Sequence, residues 1–184
     1  VVSVTGNHHY WAGPDEMQNV FGPLLPPDLS GLHANVPYHP HYAQRDWLYA
    51  TDDLLPLYRR TAADANAAVK RQFEYVIRLA LSIHRTKGGH PRFIDKSQSF
   101  TVRMSFVQQL LQEHEPHFVL VTRNPYALCY RSAVRVASLT SLDLRFHDRL
   151  DLAAQQWANS ISCAVEDAQQ LPHVPVSYTH LTLP

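Results

Sequence analysis

Glycine is scarce, with six in 184 residues, and the one Gly-Gly pair, Gly88-Gly89, follows a helical stretch instead of opening one. A glycine-rich loop that cradles phosphates ahead of a helix is therefore not visible. Cysteine is almost absent. Cys129 and Cys163 fall within expected helices at no metal-ligand spacing. Two reduced, partly buried thiols are the default, and a single disulfide between them is the alternative. No apolar run reaches the about eighteen residues of a membrane helix, and no signal peptide is visible. An excess of one charge is also missing, because sixteen Lys and Arg balance sixteen Asp and Glu. That balance suggests neither a nucleic-acid surface nor a polybasic membrane patch, and it permits a local basic pocket. Lysine is reduced to Lys70, Lys87 and Lys96.

What is present fits one domain with a sizeable core, at 45% hydrophobic residues. Val1 to Val4 reads as a strand with Thr5-Gly6-Asn7 as its exit turn, followed by a polar and aromatic loop from His8 to Glu16. Phe21 to Tyr58 is dense in Pro, Tyr and His. It is too apolar for disorder, so it is either an irregular loop packed on the domain or a surface insertion. A helical stripe then runs through Ala65, Val69, Phe73, Val76, Ile77, Ala80 and Leu81, and Lys87-Gly88-Gly89-His90-Pro91 closes it. Arg92 to Asp95 reads as a short strand, and Val102 to Glu113 as a helix with Met104, Val107, Leu110 and Leu111 inward. A long helix follows from Leu150, Ala154, Trp157, Ile161, Ala164, Ala168 and Leu171, spaced four and three apart. The alternation of strands and helices predicts an α/β domain with a mainly parallel sheet flanked by helices.

The stretch that organises the chain is Phe118 to Ser132. Phe118-Val119-Leu120-Val121 is a compact apolar run, read as a strand buried on both faces. It stops at Arg123-Asn124-Pro125 and becomes a helix to about Val136, with Asn124 as N-cap and Pro125 at the first helical position. Such a turn points backbone N–H groups and the positive end of a helix dipole beyond the strand's carboxyl end, and Arg123 adds a fork there. This predicts an anion site, with phosphate as the first choice. Ligands of parallel sheets bind at that edge, where Arg123, the end of Ile94-Asp95-Lys96 and the turn after Val4 converge.

Strand, Arg-Asn-Pro and helix resemble the 3′-phosphate-binding segment of sulfotransferases that use 3′-phosphoadenosine 5′-phosphosulfate (PAPS). Upstream, Arg92-Phe93-Ile94-Asp95-Lys96-Ser97 is similar to the family's short strand ending in an acidic residue, Lys and Ser or Thr, followed by a helix with an Arg, which in this chain is Arg103. Downstream, the helix containing Trp157 leads to Val174-Pro175-Val176-Ser177-Tyr178, where the family has a further strand. The resemblance runs from Arg92 to Tyr178. It implies a three-layer, P-loop-NTPase-like domain, incomplete in this chain because the family's loop for the 5′-phosphosulfate has no counterpart. The opening at Val1 without Met reads as an entry in mid-domain, and Ser177 to Pro184 as an appended, non-native tail.

The resemblance implies PAPS as sulfuryl donor, no metal, and a small-molecule, glycan or peptide acceptor with a hydroxyl or amine. Arg123 would clamp the 3′-phosphate. The family's serine lies eight positions after that arginine, where this chain has Arg131, with Ser132 one further; either is the second phosphate ligand. Lys96 would face the transferring sulfuryl group, although Gln98 stands where the family more often has Pro. The base for the acceptor's proton would come from His8, His9, Asp15 or Glu16 after the first strand. With twelve histidines in the chain an accidental His-His pair is equally open, and neither His8-His9 nor His39 with His41 has a recognised metal-ligand spacing. Two other readings stand beside this one. A P-loop kinase-like phosphotransferase would need a Walker loop, and a non-catalytic α/β binding module would leave Arg123 a structural role.

Overall fold

The computed structural model describes residues 10–12, 48–83, 92–95, 97–137, 145–172, 174 and 176–178. This part of the chain is mostly helical. Its helices are α1 (Leu55–Tyr58), α2 (Ala67–Ile83), α3 (Met104–Leu111), α4 (Pro125–Ala137) and α5 (Phe146–Ala168). Four three-residue strands accompany them: β1 (Tyr10–Ala12), β2 (Arg92–Ile94), β3 (Leu120–Thr122) and β4 (Val176–Tyr178). β1 pairs with β2 and β3 with β4, both in parallel, with Leu120 opposite Val176 and Thr122 opposite Tyr178.

The two pairs are not joined to each other among the described residues. Of the expected mainly parallel, helix-flanked sheet, the described residues show two short parallel pairs within a mostly helical structure. Strands of three residues with one partner each supply few ladder hydrogen bonds, so helix packing carries the fold. Strand β1 is a correction, because Tyr10 to Ala12 falls within the expected loop. The expected strand Val1–Val4 and the helix end Lys87–Pro91 lie outside the described residues. Ser177 and Tyr178, expected to begin a tail, are strand residues.

The core gathers around the end of the Pro-rich segment. Leu48, Tyr49, Ala50, Leu54 and Tyr58 are buried together with Val69, Phe73 and Val76 of α2, Phe106, Val107 and Leu110 of α3, and Cys163 of α5. That settles residues 48–58 as a packed segment; residues 21–47 lie outside the described residues. Helix α2 forms where its stripe predicts, and Asn66 caps it, its Oδ1 accepting from the N–H groups of Ala68 and Val69 at 3.0 Å each. The next helix starts later than expected. Gln98–Val102 is a 3-10 turn, and α3 begins only at Met104.

Between that turn and α3, Arg103 is fully buried. Its Nε donates to the Tyr58 carbonyl, and its guanidinium lies 5.7 Å from the centre of the Tyr58 ring. Burial, with the nearby charge of Arg60, pushes the Arg103 pKa down to about 9.

Helix α5 forms as its long stripe predicts, with the inward face rotated partly off that stripe: Ala164 is buried, while Leu150, Trp157, Ile161, Ala168 and Leu171 are half-buried. Ala154 of the apolar stripe is exposed, whereas Ala153, Ser160, Cys163, Ala164 and Asp167 are buried. The inward face is partly polar because it holds the irregular backbone of residues 49–52, which needs hydrogen-bond partners. Gln156 Oε1 accepts from the N–H groups of Tyr49 at 2.9 Å and Ala50 at 2.8 Å. Asn159 Nδ2 donates to Ala50 O and to Asp52 Oδ1, both at 2.8 Å. At the last turn of the helix, Asp167 accepts from Arg59 at 2.7 and 2.8 Å, and from the Ser105 N–H at 3.0 Å and hydroxyl at 2.9 Å.

Candidate functional site

The turn after β3 is built as the sequence predicts at its cap. Asn124 Oδ1 accepts from the Ala127 N–H at 3.2 Å, and the Leu128 N–H donates to Asn124 O at 3.1 Å. Helix α4 starts at Pro125. The cap has a consequence for anion binding. Pro125 carries no N–H and Ala127's is engaged by Asn124, so the first turn offers the N–H of Tyr126 and little else. The expectation of several free N–H groups is corrected to that extent. The electrostatic weight of the site shifts to Arg123, which is half-buried at the carboxyl end of β3.

Strand β3 itself differs from the reading of a strand buried on both faces. Val119 and Val121 are 62% and 59% exposed. Side chains alternate across a strand, so these two share one face, and among the described residues no element covers it. Leu120 and Thr122 point the other way and are half-buried.

On α4 the rotation of about 100° per residue separates the two candidates for the second phosphate ligand. Cys129 and Ala133 are buried against α5, Ser132 is half-buried at the margin of that contact, and Arg131 is exposed on the outer side. Tyr126, Tyr130 and Val134 form an exposed stripe at spacings of four, with Tyr126 at 83%. Tyr130 meets Phe146 of α5 edge-on, with ring centres 5.6 Å apart.

Two hydrogen bonds between these helices add to the ring contact in holding α4 along α5. Cys129 Sγ donates to Ala153 O at 3.5 Å, and Arg149 Nε donates to Ala133 O at 3.0 Å. The Arg149 guanidinium also lies 5.8 Å from the centre of the Phe146 ring. A cation at the carboxyl end of α4 is favoured by the helix dipole. Sequence reasoning passes over Arg149. The one signal it offers is its position one turn into a helix that follows α4 closely in the chain.

Comparisons with protein-family models, with curated proteins and with solved structures return no match.

The other expected site residues are distributed unevenly. Lys96, His8, His9, Asp15 and Glu16 lie outside the described residues, as do His39 and His41. Asp95 is described, and its Oδ1 accepts from the Ser97 hydroxyl at 2.9 Å, a local turn at the end of β2. The structure thus describes Arg123, Arg131 and Ser132 on one strand-turn-helix unit. Lys70 is in an ion pair with Glu113 at 2.7 Å across α2 and the turn after α3, far in sequence from that unit. Among the described residues no group of three His, Cys, Asp or Glu side chains could hold a metal. No helix among them is long and apolar enough to cross a membrane.

Both cysteines are free and buried, which removes the alternative of a disulfide between them. Burial pushes both thiols up from their ordinary pKa. At Cys163 the charge of Arg59 opposes that shift, and those of Glu166 and Asp167 add to it.

Proposed function

We propose that the chain carries the 3′-phosphate-binding half of a PAPS-dependent sulfotransferase domain, transferring a sulfuryl group to a hydroxyl or amine. The reading rests on one local unit: a strand that runs through Thr122 into half-buried Arg123, followed at once by a helix capped by Asn124. Parallel pairing of β3 with β4 is consistent with the three-layer α/β domain that the resemblance implies. In this reading Arg123 holds the 3′-phosphate through a fork of N–H donors, and Ser132 or Arg131 closes on it from the third turn of α4.

Sulfuryl transfer asks for placement and fixed cations more than for covalent help from the protein. Lys96 is assigned to the transferring group, and His8, His9, Asp15 or Glu16 to the acceptor's proton. Titration with adenosine 3′,5′-bisphosphate and with ATP plus Mg²⁺ tests the reading. Selective binding of the bisphosphate is expected, and Arg123→Ala should weaken it by about a hundredfold, the loss of a bidentate charged contact. ATP preference would favour a phosphotransferase, and binding of neither a non-catalytic module.

A further inference from the structure

We propose that Arg149 is a positioning residue for the phosphate-binding helix, an inference that rests on the sulfotransferase reading of the Arg123 turn. One phosphate can be shared by Arg123 and a side chain on the third turn of α4 only at a fixed tilt of that helix. Ser132 lies seven residues beyond Pro125, a lever of about 10 Å. A tilt of about 10° at the Asn124 turn would carry that position by about 2 Å, more than a hydrogen bond tolerates.

The near end of the lever is held covalently by β3 and by the Asn124 cap. Its far end is held from α5. Arg149 Nε donates to the carbonyl of Ala133, the residue next to Ser132, while the guanidinium leans on Phe146, which in turn meets Tyr130 of α4. The Cys129 thiol is a weaker tether one turn earlier. Arg149 therefore sets where Arg131 and Ser132 stand relative to Arg123 without touching the donor itself.

The readout is the ratio of affinities for adenosine 3′,5′-bisphosphate and AMP, which isolates the 3′-phosphate from the rest of the nucleotide. Arg149→Met keeps the unbranched stem and removes the donor. It should lower the ratio about tenfold, the loss of one charge-assisted contact, with AMP affinity unchanged. Arg149→Gln, which restores an N–H, should recover part of the ratio. A general loss of stability would weaken both ligands alike and leave the ratio where it was.

A selective wild type whose ratio is unchanged in Arg149→Met overturns this inference alone. If that variant does not fold, the ratio is read on Phe146→Leu, which removes the ring the guanidinium leans on; an unchanged ratio there overturns it equally. A wild type that binds the bisphosphate no better than AMP overturns the site reading and this inference with it.

Discussion

The Asp167 carboxylate accepts four hydrogen bonds, two from Arg59 and two from Ser105. Burial alone would raise its pKa. The hydrogen bonds from Arg59 and Ser105, with the Arg59 charge, outweigh that cost and hold the carboxyl below its ordinary range. A carboxylate depressed in the folded state contributes stability that is present above its ordinary pKa and lost as pH falls through the folded value. Asp167→Asn should therefore flatten the acid limb of the stability profile below about pH 4. It should also cost about 3 kcal/mol at neutral pH, because it breaks a largely buried ion pair and leaves the Arg59 charge without its main partner. Urea denaturation across pH checks both. A variant with wild-type acid sensitivity would show that other carboxylates dominate that limb.

Among the elements, α5 is the clearest case of a helix whose place is legible in the sequence and whose rotation is only partly so, since Ala164 of the stripe is buried and Ala154 is exposed. The apolar spacing at Leu150, Trp157 and Ile161 locates the helix, since a period near 3.6 is a property of sequence alone. Which face turns inward depends on what lies opposite. Opposite lies the loop backbone of residues 49–52, whose N–H and C=O groups select Gln156 and Asn159 over methyl groups. Gln156→Leu should leave the two N–H groups of Tyr49 and Ala50 without their acceptor and destabilise by about 2 kcal/mol, within the range for unsatisfied buried donors. Hydrogen exchange reads it directly. The amides of Tyr49 and Ala50 should lose protection first, whereas equal loss across the molecule would place the bond's value elsewhere.

At the scale of the molecule, helices α2 to α5 and the Asn124 turn are legible in the sequence, whereas α1, inside the expected loop, and the assembly of the strands are not. Asn124 and Pro125 announce a helix start from their own chemistry, with no help from distant residues. The covering of Val119 and Val121 depends on elements far away in sequence, so an apolar run cannot say whether both faces of β3 are packed. Arg123 is legible as a strand-end cation, and Arg149 is not, because its role lies in a carbonyl of another helix. Both thiols are buried and raised in pKa, so the folded protein should react with Ellman's reagent only at the rate of its unfolding. Fast modification under native conditions would contradict the packing of α4 on α5 if it fell on Cys129, and the packing of the core if it fell on Cys163. The polar seam along α5 carries one more implication. A saturating substitution scan of this helix would invert the usual ranking: Leu or Met would be tolerated at outward Ala154, while Gln156 and Asn159, conspicuously hydrophilic letters, would resist nearly every replacement.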